Sequence, residues 1–229
     1  MFPFYRTNMK RLIKEMTADG SATLYIPEID EHYHSIKGAL EEARHVYIET
    51  ALHQSNSCPV RILEIGFGTG LNAFLTLLDT IKRQIPVIYT TLELFPLDWD
   101  EIEPLQYPET IAPEYNRLFR QLHETEWNKT ITITSKFTLL KIQSDLTQHT
   151  FKKQYDVVYF DAFAPEKQPE LWEEVIFSKI AATMPSGGIL STYCAKGEVR
   201  RRLQRSGFIV ERLPGPLSGK REILRGRIA

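Results

Sequence analysis

The sequence predicts an α/β fold: a mostly parallel, seven-stranded sheet whose last strand runs antiparallel, preceded by a small N-terminal hairpin and helix. Three observations carry that prediction. From Val60 onward, short apolar runs alternate with helical patterns, the mark of repeated β-α-β units and a sheet covered on both faces. The last two apolar runs are joined by PGPLSGK, which leaves no room for a crossover helix, so they must pair as an antiparallel edge hairpin. A glycine-rich turn, RILEIGFGTGLN (61–72), follows the first of the alternating strands.

The elements follow in order. KRLIKEM (10–16) and ATLYIPEI (22–29) flank TADGS, whose Asp19-Gly20 pair is a hairpin signal. A polar link, DEHYHS, leads into 36–54, where Ile36, Leu40, Ala43 and Tyr47 recur on one helical face. These residues form an N-terminal extension, 1–58. The main domain, 59–229, reads as strands at 60–65, 87–94, 138–145, 155–161, 187–194, 208–213 and 221–228. Helices are expected at 71–83, 112–125, 169–184 and 196–206. Prolines 96, 104, 108 and 113 punctuate the stretch before the second of these.

Bulk properties exclude several classes. The 229 residues are 42% hydrophobic, enough for a real core. No apolar run has the length of a membrane span, and the N-terminus lacks the pattern of a signal peptide. Only Cys58 and Cys194 occur, far apart, so neither a disulfide framework nor a zinc site is expected, and a cytoplasmic location is. His32, His34 and His53 show no metal-binding spacing; no metal is expected. Net charge is −1, but from Lys196 onward arginines outnumber acids, and Arg6, Lys10, Arg11 and Lys14 add to the basic side. A basic patch on a near-neutral chain suits a polyanionic partner, though on charge alone a solvated helix face is the better reading.

Ligands in open α/β sheets bind outside the carboxyl ends of the strands. The first strand ends in Glu64, then Gly66, Gly68 and Gly70, leading into Leu71 and Asn72. The G-x-G-x-G spacing is neither the dinucleotide fingerprint nor a P-loop. The second strand ends in Glu93, placed to accept from ribose hydroxyls. The third ends in Ser144-Asp145-Leu146, with a carboxylate able to accept from an adenine amino group. The fourth ends in Asp161-Ala162-Phe163-Ala164-Pro165, a carboxylate in the crevice followed by a stiff loop with an aromatic wall.

Together these strand ends resemble the Rossmann-like, class I, S-adenosylmethionine-dependent methyltransferases. YHSIKGALEEARHVYIE, LEIGFGTGLNAF, LELFPL, FDAFAPEKQPELW and GKREIL are similar, more closely, to the methyltransferase half of the bifunctional tRNA 5-methylaminomethyl-2-thiouridine biosynthesis proteins and their stand-alone relatives. The likeness runs from about Glu31 to the C-terminus. The resemblance implies S-adenosylmethionine held by Tyr33, Ser35, Glu64, Gly66, Gly68, Gly70, Leu71, Asn72, Glu93, Asp145, Leu146 and Asp161. It implies methyl transfer to the 5-aminomethyl amine of a wobble uridine, with Asp161 catalytic and Phe163, Lys220 and Arg221 contacting substrate. His34 joins Tyr33 and Ser35 as a candidate to close the cofactor pocket or as a structural hydrogen-bond partner. No dinucleotide glycine motif of a flavin half occurs, so no FAD is expected and a separate enzyme is left to supply the aminomethyl intermediate. The implied partner is the tRNA anticodon stem-loop, with phosphates met by the basic C-terminal third.

Two other readings stay open on the residues alone. One is an amine methyltransferase or aminopropyltransferase acting on a small molecule or protein. The other is a catalytically silent nucleotide-binding RNA partner.

Overall fold

The structure is a computed structural model that describes residues 11–151, 154–217, 219 and 221–229. Lys220, Arg6 and Lys10 lie outside the described residues. At the N-terminus, β1 (Ile13–Met16) and β2 (Ala22–Ile26) pair antiparallel, and a two-residue β3 (Glu31–His32) adds to β2. Asp19 at the hairpin tip does more than turn the chain. Its carboxylate accepts from the N–H of Glu41, in the first turn of α1 (Ala39–Ala43), at 2.9 Å, and from Ser21. The hairpin thus caps the helix it precedes, since the first helical N–H groups lack partners within the helix.

The helix expected at 36–54 starts at Ala39 and changes character midway. Arg44–Glu49 widen into a π-helical turn, Thr50 N–H bonding to His45 O five residues back, and a 3-10 turn closes at Leu52–Gln54.

The alternating region follows. β4 (Val60–Ile65), buried almost throughout, leads through the glycine turn into α2 (Leu71–Arg83). β5 (Val87–Glu93) comes next, then α3 (Trp99–Ile102) and α4 (Tyr107–Ile111), the two short helices that the prolines allow. A longer α5 (Asn116–Glu124) packs back on α2. β6 (Thr130–Thr134) and β7 (Phe137–Gln143) form a hairpin. β8 (Val157–Phe160), α6 (Glu174–Ala181), β9 (Ile189–Thr192), α7 (Gly197–Arg205), β10 (Phe208–Pro214) and β11 (Glu222–Ile228) complete the chain.

The main sheet has eight strands in the order β10-β11-β9-β8-β4-β5-β7-β6. Its five central strands are parallel; β11 is antiparallel to β9 and β10, as the PGPLSGK link requires. Seven strands were expected. The eighth, β6, is a threonine-rich edge strand with no run of buried residues, so it carries little apolar signal. Among the described residues, no helix is long and apolar enough to cross a membrane.

One apolar cluster joins the extension to the sheet: Leu24, Val46 and Tyr47 pack with Ile62, Phe74 and Tyr159. Each fully buried side chain of this kind contributes about 1.5–3 kcal/mol. That exceeds a single hydrogen bond, so packing is what keeps the extension on the main sheet.

Candidate active site

The chain order of the central strands reverses direction between β4 and β8. The crevice outside their carboxyl ends is where this topology binds ligands. Gly66, Gly68 and Gly70 all have positive φ there. The tightness around two of them comes from the protein itself. A Cβ on Gly66 would meet the Asp161 carbonyl oxygen at 2.7 Å, and one on Gly70 would meet His123 Nε2 at 2.6 Å. Gly68 turns its N–H to Glu93 Oε2, 3.1 Å away, and the Tyr33 ring lies against its Cα.

Glu93, at the end of β5, accepts a second backbone bond, from Phe95 N–H at 2.9 Å. A carboxylate offers about four lone-pair sites, so two bonds that fix its orientation leave capacity for a diol. Asp145 accepts from the N–H and hydroxyl of Thr147, at 2.8 and 2.7 Å, and so shapes its own loop, with Leu146 buried beneath. Glu64 and Leu71 stand apart from the other expected cofactor residues: both are 0% exposed. Leu71 faces the core, which leaves its backbone for any contact in the crevice. Burial pushes the Glu64 carboxyl well above its ordinary range. Thr91, Tyr89 and Asn72 surround it and favour its charge, but among the described residues no side chain completes a hydrogen bond of good geometry to either oxygen.

Asp161 is gripped from two sides. Tyr47 donates its hydroxyl to Oδ1 at 2.6 Å, and Asn72 Nδ2 donates to Oδ2 at 2.8 Å. Asn72, expected against the cofactor, also donates to Asp161 in the structure. The loop after Asp161 is tied down as well. Tyr193 OH donates to Ala162 O and Trp172 Nε1 to Phe163 O, both at 2.8 Å, while Phe163 N–H reaches Gln168.

Asp161 and Phe163 line a cavity of about 730 Å³, within the usual range for small-ligand sites. Tyr33 and Ser35 form its N-terminal side, Tyr193 and Lys196 another, and Arg221 lies at its mouth. Tyr33 meets Phe163 edge to face, ring centres 5.1 Å apart. His34 bonds Thr69 in the glycine turn, Nε2 to Oγ1 at 2.6 Å, and desolvation pushes its pKa down to about 4. It is a neutral latch between the extension and the glycine turn.

The basic C-terminal third is less available than its composition implied. Arg202 pairs with Glu198 and Glu173, Arg205 with Glu174, Arg212 with Glu222, and Arg225 with Glu211. Arg201 and Arg221 are exposed and make no ion pair among the described residues.

Tyr47 went unread as a site residue because its only sequence signal was an apolar helical face. Glu42 lines the cavity and went unread because it lies in a charged run, Glu41 to Arg44, that has the pattern of a solvated helix face.

Sheet order, glycine turn and strand-end acids together define a class, the Rossmann-like methyltransferases. A profile for S-adenosyl-L-methionine-dependent methyltransferases matches residues 106–229, more than half of the chain, and the protein belongs to that family. The chain is 31% identical over 212 residues to the tRNA 5-methylaminomethyl-2-thiouridine biosynthesis bifunctional protein MnmC of Leptospira borgpetersenii serovar Hardjo-bovis, covering 86% of this chain and 32% of that one. It is 29% identical over 221 residues to MnmC of Idiomarina loihiensis, covering 86% and 35%. The chain thus spans about a third of the length of these relatives. The crystal structure of MnmC2 from Aquifex aeolicus superposes with a TM-score of 0.79 at 25% identity, covering 98% of this chain and 72% of that one. Spermidine synthase from Thermotoga maritima, at TM-score 0.55 and 12% identity, shares the fold.

Proposed function

We propose that this protein methylates the 5-aminomethyl amine of a wobble (2-thio)uridine in tRNA, giving the 5-methylaminomethyl form. The observation that carries the reading is the clamped Asp161 carboxylate, between the glycine turn and an aromatic-walled cavity. The names of the MnmC relatives and of the Aquifex structure supply the substrate class.

Glu93 and the glycine turn fit the ribose and methionine parts of S-adenosylmethionine, which when bound supplies a sulfonium methyl already activated for displacement. Asp145 and Leu146 would flank its adenine. The chain's own work is on the amine. An alkyl amine has a pKa of about 10.4, so roughly one molecule in a thousand carries a free lone pair near neutral pH. Asp161 accepts a hydrogen bond from the ammonium, aims its nitrogen and takes up a proton as the lone pair is freed. Phe163 stacks the uracil ring in the cavity. Arg201 and Arg221 meet phosphates of the anticodon stem-loop, and Lys220 adjoins Arg221 in sequence.

Asp161→Asn tests the reading. Affinity for the cofactor, measured by calorimetry, is expected to stay while transfer to aminomethyl-bearing tRNA is lost. Unchanged transfer would remove Asp161 from the chemistry.

A further inference from the structure

We propose that Tyr47, a residue of the N-terminal extension, is a positioning residue of the catalytic centre: its hydroxyl fixes the Asp161 carboxylate so that the remaining lone pairs face the amine. The proposal rests on the reading of Asp161 given above, and the experiment separates the two.

The geometry is specific. Asp161 Oδ1 takes the Tyr47 hydroxyl at 2.6 Å and Oδ2 takes Asn72 Nδ2 at 2.8 Å, so the carboxylate is held at both oxygens by donors from different elements. A bond of this kind to an ionised acceptor is shorter and stronger than one between neutral groups, enough to fix one rotamer. The Tyr47 ring cannot swing away. It is 2% exposed and packs on Tyr159 with ring centres 5.1 Å apart.

Tyr47 also reaches Asp161 from an unusual backbone. The regular α1 gives way to the π-helical turn over Arg44–Glu49, and Tyr47 lies within it. Such turns are rare and concentrate at functional sites. An added residue per turn rotates the later part of the helix by about 100°, so the widening decides which side chain faces the crevice.

Tyr47 is a donor and not the base. Burial first, and the nearby Asp161 charge second, push its hydroxyl well above the ordinary phenol range, so it keeps its proton throughout the working pH range. Other ionisable groups that feel the Asp161 charge are Glu64 beneath it, Tyr89 on β5 and Tyr193 after β9. Burial raises all three, which favours their neutral forms. Glu42, on α1, adds its charge to that felt by Tyr47 and Tyr193.

The test uses the full chain with Tyr47→Phe and Asp161→Asn, measured in parallel. Tyr47→Phe is expected to bind S-adenosylhomocysteine with wild-type affinity by calorimetry. Its kcat on aminomethyl-bearing tRNA should fall about 10–100-fold, the loss of one charged hydrogen bond. KM should change little. A donor bond lowers a carboxylate pKa, so its removal should move the acid limb of the kcat–pH profile to higher pH. A Tyr47→Phe enzyme whose acid limb stays in place, whether kcat falls or not, would overturn the positioning role. So would loss of S-adenosylhomocysteine binding, which would make Tyr47 a support of the fold. Should Asp161→Asn retain turnover, the reading of Asp161 itself fails, independently of what Tyr47→Phe shows.

Discussion

A residue's neighbours can change its role without changing its identity. Glu64 is legible as the acid before the glycines, yet sequence does not show that β4 buries it fully. A strand end beside a glycine turn is where a carboxylate ordinarily reaches solvent or ligand, so its position carries no signal of burial. Its raised pKa makes a stability prediction. The folded chain holds a proton there that the unfolded chain releases above its ordinary 4.5, so Glu64 favours folding at low pH and opposes it as pH rises. Glu64→Gln should therefore gain melting temperature relative to wild type as pH is raised from about 5 to 8. A difference that does not vary with pH would mean Glu64 is charged in the fold. Asp161, by contrast, is legible as an acid beyond a buried strand that caps no helix, while its two donors are not. Tyr47 is more than a hundred positions away and has the sequence signature of core.

Elements show the same division. The strand at 60–65 and the helix at 71–83 match to the residue, because each has one strong apolar period and the glycine turn punctuates them. The helix at 36–54 is visible in sequence, but its π-helical turn leaves no periodic signal. β6 is invisible because threonine alternation at an edge buries little. The glycine turn reads as a place where backbone approaches a ligand. The structure adds that its own neighbours already occupy the space. Gly66→Ala would put a Cβ at φ +89° and 2.7 Å from a carbonyl, so a loss of at least about 1–2 kcal/mol is expected by denaturant unfolding. A neutral result would mean the loop relaxes freely. The His34 latch gives a second check. Its pKa falls from 6.5 to about 4, so its contribution is complete above 6.5 and is lost as pH falls toward 4. His34→Gln should flatten acid unfolding across that window; an unchanged profile would show that His34 is free to protonate in the fold.

At the scale of the whole molecule, the excess of arginines after Lys196 on a chain of net charge −1 suits a polyanionic partner but does not give the surface that meets it. Ion pairs decide that. Arg202 is committed to Glu173 and Glu198, whereas Arg221 is exposed at the cavity mouth. Reversing Arg221 to Glu should weaken tRNA binding and make its salt dependence shallower by about one contact, while Arg202→Glu should chiefly lower stability. The opposite pattern would put the RNA on the α7 face. The proposed activity is assayed most directly by incubating the purified protein and S-adenosylmethionine with tRNA bearing 5-aminomethyl wobble uridine, then analysing the nucleosides by mass spectrometry. One methyl group gained on the aminomethyl nitrogen with wild type, and none with Asp161→Asn, is the expected result. An unmethylated nucleoside with wild type, or a methyl group carried on another base, would contradict it.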